Sequence, residues 1–208
     1  MIFLYSDFKP GLSDVMDERL IASIDSSFSH VAYIPTEHEP KQRPFETICQ
    51  RFAEIGVNNI EYMDLHANWS SKSLNTIQTA SIVYLAGGDP VPLLEALKIR
   101  GLRSELQKIA KSKILMGVSA GAMVLGKRLL NLDSNGYDRK KEKSFIKGLS
   151  MFDFDFVPHL LELGLSVNEI ISLAGAQNQY IGCDDDSGVI ISDGVVELLG
   201  PSVIRFGA

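Results

Sequence analysis

The chain alternates short apolar runs with longer stretches in which apolar residues recur at helical spacing. Apolar runs that predict buried strands lie at 1–5, 31–34, 60–65, 81–86 and 113–118. Stretches that predict helices lie at 12–27, 42–56, 91–111, 119–129 and 166–176. Strands that alternate with helices pair in parallel, because each helix carries the chain back across the sheet. We therefore expect an α/β fold, with a mostly parallel sheet and helices on both of its faces.

The pattern changes after residue 178, where shorter strands are predicted at 180–183, 189–192 and 195–199. The pair Asp193-Gly194 stands between the last two and suits a tight hairpin turn. Neither an internal repeat nor a low-complexity linker interrupts the sequence, so we expect one domain over residues 1–208. A domain of 208 residues can bury about 70% of the surface of its unfolded chain, which is ample for a core without disulfides or a structural metal.

Composition argues against several classes of protein. A net charge of −6 disfavours a nucleic-acid-binding surface. No apolar run approaches the roughly 20 residues that span a bilayer, and the opening residues lack a basic leader and a cleavage site. Two cysteines, Cys49 and Cys183, are too few for a disulfide framework or a four-ligand zinc site and are expected to be buried thiols. We therefore expect a cytoplasmic protein with no metal or other cofactor and no membrane partner.

The most informative segment is G-V-S-A-G at 117–121, which joins a predicted strand to a predicted helix. Such a turn needs glycines beside its central residue, because the neighbouring backbones approach too closely for side chains. It would put Ser119 Oγ at the carboxyl edge of the sheet, where open α/β folds hold their sites. It would also aim the Ala120 N–H at an oxyanion formed there. The pattern predicts a nucleophilic serine, and the alternative is a packing turn whose serine is inert.

A second glycine turn, Gly87-Gly88, also lies between a predicted strand and a predicted helix. Paired glycines at the carboxyl edge of a neighbouring strand can expose a backbone N–H as a second oxyanion donor. Asp89 follows them and precedes Pro90, a residue that suits the first position of a helix. We therefore expect Asp89 to cap the helix rather than to act in catalysis.

A serine hydroxyl needs a base near neutral pH, most often histidine. His30 precedes a strand, and His38 and His66 follow strands in polar surroundings, so all three are expected to be structural or solvated. His159 stands at the tip of the apolar run 154–158. It is the best candidate for the base, with an ordinary loop histidine as the alternative.

Four motifs follow one another along the chain: Y-L-A-G-G-D at 84–89, G-V-S-A-G-A at 117–122, V-P-H at 157–159 and G-C-D-D-D-S-G-V-I-I at 182–191. Together they resemble the peptidase S51 family, which includes aspartyl dipeptidase and cyanophycinase. The similarity runs from near Met1 to about Leu199. It implies a flavodoxin-like, class I glutamine amidotransferase-like fold and a serine peptidase that needs no metal.

Carried over position by position, the resemblance assigns catalytic roles to four residues. Ser119 becomes the nucleophile and His159 the base, and the N–H groups of Gly88 and Ala120 form the oxyanion hole. It further implies a small peptide as substrate, cleaved through an acyl-enzyme. Both a monomer and a homodimer remain open.

The third member of the triad has several candidates. A family segment G-I-D-E aligns with 182–185, which puts Asp185 at the place of the glutamate that orients the imidazole. Asp184 and Asp186 are its immediate rivals. Asp133 and Asp138, in a charged segment nearer the serine, are further candidates. The alternative for all of 184–186 is a solvated acidic turn before a strand.

The sequence departs from the family pattern at three places. Asp89 stands where the family usually has asparagine, Leu160 where an aromatic residue commonly follows the histidine, and residues 161–164 contain no basic side chain. Specificity for aspartyl substrates is therefore not expected. Two other functions stay open: an esterase-like α/β-hydrolase, although its usual H-G-G-G-type loop is absent, and a catalytically inactive relative that binds a small ligand.

Overall fold

The computed structural model describes residues 1–11, 14–24, 29–67, 69–130 and 146–207. Its strands are β1 (Ile2–Tyr5), β2 (His30–Ile34), β3 (Asn59–Tyr62), β4 (Ile82–Leu85), β5 (Ile114–Val118), β6 (Arg128–Leu129), β7 (Ile146–Lys147), β8 (Asp155–Val157), β9 (Gln179–Cys183), β10 (Gly188–Ser192), β11 (Val195–Leu199) and β12 (Val203–Gly207). Its helices are α1 (Asp14–Ser23), α2 (Arg43–Glu54), α3 (Ser71–Thr79), α4 (Pro90–Ile99), α5 (Arg103–Ser112), α6 (Ala120–Leu125) and α7 (Val167–Ala174).

The main sheet has seven strands in the order β11-β10-β1-β5-β4-β2-β3. The five strands from β1 to β3 in this order pair in parallel, whereas β10 and β11 join the sheet antiparallel. The prediction of a mostly parallel sheet is therefore confirmed. A separate three-stranded sheet has the order β12-β9-β8, in which β8 and β9 are parallel.

Side chains of the main sheet alternate between two cores, because successive residues of a strand point to opposite faces. In β1, Leu4 packs in the core that contains buried residues of α3, α4, α5 and α6. Its neighbours Phe3 and Tyr5 pack in the other core, together with residues of α1 and α2. Helices thus cover both faces of the sheet, as the sequence predicts.

Near the carboxyl end of the chain the predicted hairpin is also present. Strands β10 and β11 pair from Gly188 opposite Leu199 to Ser192 opposite Val195. The two turn residues, Asp193 and Gly194, have φ of 50° and 80°. Positive φ at both central residues is the conformation that Asp-Gly favours in two-residue hairpins.

Two predicted helices are wrong in extent. The stretch 91–111 forms α4 and α5 instead of one helix, because the chain turns at Gly101, whose φ is 64°. The stretch 119–129 forms only the six residues of α6, since Gly126 leaves the helix with an extended ψ of −176°. Residues 128–129 then pair with 146–147.

Helix α3 and strand β12 are absent from the sequence-based prediction. Within α3 the buried residues are only Thr76 and Ile77, so the apolar period is too weak to notice. Cys183 is buried as expected, whereas Cys49 is only half-buried, and both are free thiols. Across the ranges that the structure describes, no helix is long and apolar enough to cross a bilayer.

Candidate active site

Ser119 occupies the turn between β5 and α6. Its backbone has φ of 49° and ψ of −111°, an unusual conformation for a residue with a side chain. The neighbouring strand β1 supports this turn, because the Ser119 N–H donates a hydrogen bond of 2.9 Å to the carbonyl oxygen of Tyr5. Ser119 therefore lies at the carboxyl edge of the main sheet in a turn that is strained and held from the side.

The two glycines that flank Ser119 explain the G-x-S-x-G spacing. A Cβ atom on Gly121 would lie 2.1 Å from the carbonyl oxygen of Leu85 in β4. A Cβ atom on Gly117 would lie 2.7 Å from the backbone of Ala122. Both distances are far below van der Waals contact, so the first turn of α6 can reach its place on the sheet only with glycine at both positions.

His159 brings a second sheet to the same place. It follows β8, and its imidazole Nε2 lies 3.0 Å from Ser119 Oγ while its Nδ1 lies 2.7 Å from Asp185 Oδ1. Strands β8 and β9 run parallel with Val157 opposite Gly182, so the segments that follow them leave at the same edge. The His159 and Asp185 side chains are 28% and 27% exposed, which leaves the site open to a small molecule.

The hydrogen-bond pattern fixes the position of the imidazole proton. A carboxylate only accepts hydrogen bonds, so the contact with Asp185 requires the proton on Nδ1 of His159. The lone pair on Nε2 then faces the hydroxyl of Ser119. A nucleophile, a base within hydrogen-bond reach and a carboxylate that orients the base form the arrangement used in acyl transfer.

The other acidic candidates make different contacts. Asp184 accepts a hydrogen bond of 2.7 Å from the Leu161 N–H. Asp186 accepts hydrogen bonds from the hydroxyl groups of Ser187 and Ser202, at 2.7 and 2.9 Å. The two remaining candidates, Asp133 and Asp138, lie outside the described residues.

Two turns meet beside Ser119, and they carry the N–H groups expected to form an oxyanion hole. A Cβ atom on Gly87 would lie 3.5 Å from the Ser119 Cβ, so the β4–α4 turn passes directly beside the serine. Gly88 has φ of 130°, and a Cβ atom there would lie 2.5 Å from Thr36 Oγ1. Ala120 is the first residue of α6. Gly88 and Ala120 thus stand in the turns that end the neighbouring strands β4 and β5.

The family of this chain follows from its similarity to known proteins. Residues 8–199 match the family model described as peptidase family S51. The chain belongs to peptidase family S51. An uncharacterized peptidase of Listeria innocua serovar 6a is 27% identical to this S51 chain over 169 residues, which is 76% of this chain and 75% of the relative.

Solved structures of similar shape support the flavodoxin-like fold of this S51 chain. A protein of Listeria monocytogenes EGD-e assigned as a peptidase E superposes with a TM-score of 0.73 at 19% identity, covering 97% of this chain and 98% of its own. A peptidase from an acI-B1 Actinobacterium superposes with a TM-score of 0.65 at 16% identity, covering 100% of this chain and 93% of its own. At these identities the likeness establishes the fold.

Asp89, which replaces the usual asparagine of the S51 family, is engaged as the sequence predicts. It is the N-cap of α4, and its carboxylate accepts a hydrogen bond of 2.9 Å from the Val91 N–H. Its backbone is extended, with φ of −81°. The carboxylate is therefore committed to the helix end rather than turned toward Ser119.

Ser6 is a member of this S51 site that the sequence analysis missed. It follows β1, is fully buried, and lies next to His159 and Asp185. Its hydroxyl lies 2.9 Å from Asp185 Oδ1 and accepts a hydrogen bond of 2.8 Å from the His159 N–H. The available signal was its position: a polar residue that directly follows a buried strand stands at the sheet edge where sites form.

The other three histidines of the S51 chain make contacts away from Ser119. His30 lies 3.7 Å from Glu61, and His66 Nε2 lies 3.0 Å from the Thr36 carbonyl oxygen. His38 Nδ1 lies 2.5 Å from Oδ2 of Asp64, which is buried. The expectation that these histidines are structural or solvated agrees with these contacts.

Hydrogen bonds lower the pKa of Asp64. Burial alone would raise the pKa of Asp64, but hydrogen bonds from His38 and from the N–H groups of His66 and Ala67 outweigh it and lower that pKa.

Burial also raises the pKa of the Cys183 thiol, assisted by the nearby Asp184. Cys183 is also fully buried, and a thiol held neutral is a poor nucleophile. Within the described ranges no group of three or more His, Cys, Asp or Glu side chains is arranged to hold a metal ion.

Proposed function

We propose that this chain is a serine peptidase that hydrolyses small peptides, of the dipeptide or isopeptide class, through an acyl-enzyme on Ser119. The observation that carries the proposal is the continuous hydrogen-bonded series from Ser119 Oγ through His159 to Asp185, located at a strained turn. Membership of peptidase family S51 supports the reaction class. The peptidase names of its relatives support it further.

The first half of the reaction forms the acyl-enzyme. Ser119 Oγ attacks the peptide carbonyl carbon while Nε2 of His159 takes the hydroxyl proton. The N–H groups of Gly88 and Ala120 stabilise the tetrahedral oxyanion, a contribution of roughly 3–4 kcal/mol for each donor in other enzymes. When the C–N bond breaks, Nε2 returns the proton to the leaving amine, and Asp185 holds the imidazole throughout.

The second half reverses these roles with water as the nucleophile. Water attacks the ester carbonyl, and Nε2 of His159 takes its proton. Collapse of the second tetrahedral intermediate breaks the bond to Ser119 Oγ, which recovers the proton from the imidazole. The free acid leaves, and the enzyme is restored without a cofactor.

Apolar side chains are proposed to contact the substrate beside the base. Leu161, two residues after His159, is 78% exposed. The segment itself supplies no basic side chain for a substrate carboxylate, since 160–164 reads L-L-E-L-G. We therefore infer that the enzyme does not prefer acidic residues next to the cleaved bond.

A panel of dipeptides with varied N-terminal residues tests the proposal. The purified protein should release free amino acids from at least one class of dipeptide, and chelators should not change the rate. Ser119→Ala should lose activity on the order of 10⁶-fold, and His159→Ala nearly as much. The double variant should be no worse than either single one, because the two residues act as a unit.

Two results would count against the proposal. Rapid hydrolysis of activated esters with neither a dipeptide nor an isopeptide cleaved would indicate an esterase. Turnover in Ser119→Ala within about tenfold of the wild type would exclude the covalent mechanism. Thermal unfolding of each variant verifies that the protein is folded.

A further inference from the structure

The Ser6 hydroxyl lies beside the contact between the base and its carboxylate. It lies 2.9 Å from Asp185 Oδ1 and 3.4 Å from His159 Nδ1, and it has one proton to donate. Nδ1 already carries the proton that it shares with Asp185, so it cannot accept another. The Ser6 proton is therefore donated to Asp185, whose Oδ1 receives two hydrogen bonds.

The same hydroxyl oxygen also acts as an acceptor. The backbone N–H of His159 donates to it at 2.8 Å. His159 has φ of 53°, a conformation that costs free energy for a residue with a side chain. A buried hydrogen bond at that residue helps to hold the conformation that directs the imidazole toward Ser119.

Ser6 also stands where two sheets meet. Ser119 belongs to the main sheet through β5, whereas His159 and Asp185 follow β8 and β9 of the smaller sheet. Tyr5 pairs with Val118 in the register of β1 and β5, so Ser6 follows β1 just as Ser119 follows β5.

Tyr5, the last residue of β1, and Ser6, which follows it, together contact Ser119, His159 and Asp185. The Tyr5 carbonyl oxygen accepts the Ser119 N–H, and the Ser6 hydroxyl binds both His159 and Asp185. A displacement of about 1 Å between reacting groups can cost about a hundredfold in rate. Tyr5 and Ser6 thus bridge the two sheets at the point where such a displacement would matter.

We propose that Ser6 is a positioning residue, whose hydroxyl sets His159 and Asp185 of the small sheet in register with Ser119 of the main sheet. The inference rests on the proposed function of Ser119 and His159. Ser6 acts through the base and its carboxylate and does not contact the Ser119 hydroxyl or the substrate carbonyl.

The chain supplies a matched control for the variant Ser6→Ala. Ser187 is equally buried, donates to Asp186 at 2.7 Å and accepts the Ser202 N–H at 2.7 Å. Ser187→Ala thus deletes the same atom and the same two kinds of hydrogen bond without touching His159. Both variants should lose similar thermal stability.

Steady-state kinetics on the best dipeptide separates positioning from stability. Ser6→Ala should lower kcat by roughly ten- to a hundredfold with KM within about threefold of the wild type, because substrate contacts are kept and the base is misplaced. Ser187→Ala should keep kcat within about threefold. An active wild type with Ser6→Ala within twofold of its kcat overturns the inference, as does an equal loss in Ser187→Ala.

A second readout needs no substrate. In protein labelled with ¹⁵N-histidine, the downfield resonance of the His159 Nδ1 proton is assigned by its loss in His159→Ala. It should shift or broaden in Ser6→Ala and stay in place in Ser187→Ala. An unchanged resonance in Ser6→Ala overturns the inference, whereas a wild type that shows this resonance but cleaves no dipeptide contradicts only the proposed function.

Discussion

His159 Nδ1 lies 2.7 Å from Asp185 Oδ1, although the two residues are 26 positions apart along the chain. The contact follows from strand pairing: β8 and β9 are parallel neighbours, and each residue lies a short step beyond the end of its strand. Because both residues directly follow paired strands, the register of β8 and β9 places the Asp185 backbone close to the His159 imidazole.

Amide substitutions test which carboxylate orients the base. Asp185→Asn should lower kcat by about two to four orders of magnitude, because an amide can favour the wrong imidazole tautomer without a change of shape. Asp184→Asn and Asp186→Asn should each change kcat by less than about tenfold, since their oxygens serve other donors. Dipeptide kinetics on folded variants provides the ranking.

The more distant acids complete that series. Asp133→Asn and Asp138→Asn are also expected to change kcat by less than about tenfold. A large loss in either one, together with a mild effect of Asp185→Asn, would move the acid to the segment between Ser119 and His159.

The departure at Asp89 should have little effect on turnover. Asparagine can cap a helix as well as aspartate does, so Asp89→Asn should keep kcat within about threefold. Asp89→Ala deletes the bond to the Val91 N–H and should lower the free energy of unfolding by about 1 kcal/mol. A tenfold rise of kcat in Asp89→Asn would instead show that the carboxylate opposes the oxyanion.

Much of this site could be predicted from local sequence, and some of it could not. Ser119 stands in a motif whose glycines are required by contacts within one strand–turn–helix unit, so its location is visible in five residues. His159 follows from the need for a base at a strand tip. Asp185 was chosen over its rivals by the family resemblance, since the pairing of β8 with β9 in a separate sheet has no local signature.

Long-range placement is what the sequence left out. Ser6 has no motif, and its importance depends on β1 lying between β10 and β5. The break between α4 and α5 depends on the left-handed backbone of Gly101. A single glycine in an otherwise helical stretch does not by itself reveal that the chain turns there. The alternation of strands and helices, by contrast, follows from burial on two faces and was predicted apart from α3.

Glycine at position 121 should be indispensable for the turn. The Cβ of Gly121→Ala would meet the backbone of β4, so the variant should lose about 3 kcal/mol or more of unfolding free energy, and its activity with it. Gly101→Ala is the matched control, because its Cβ would meet open space and pay only for a left-handed backbone, about 1 kcal/mol. Equal stability losses in urea unfolding would contradict the close approach of α6 to β4.

Acid should weaken the contribution of Asp64 to stability. Its pKa is lower in the folded protein than the usual 3.8, so the stabilisation is complete above that value and is lost as the pH falls through the folded pKa. Asp64→Asn should therefore cost about 1 kcal/mol at pH 7 and progressively less below about pH 4. A pH-independent difference for Asp64→Asn would contradict this assignment.

The identity of the nucleophile can be measured directly with a fluorophosphonate, which reacts with activated serines. Intact mass and peptide mapping of the treated wild type should show one adduct per chain, located on Ser119. His159→Ala should react slower by several orders of magnitude, roughly as its kcat does, and Ser119→Ala should not react at all. A folded wild type that forms no adduct, or forms it on another residue, would contradict the assignment of Ser119 as an activated nucleophile.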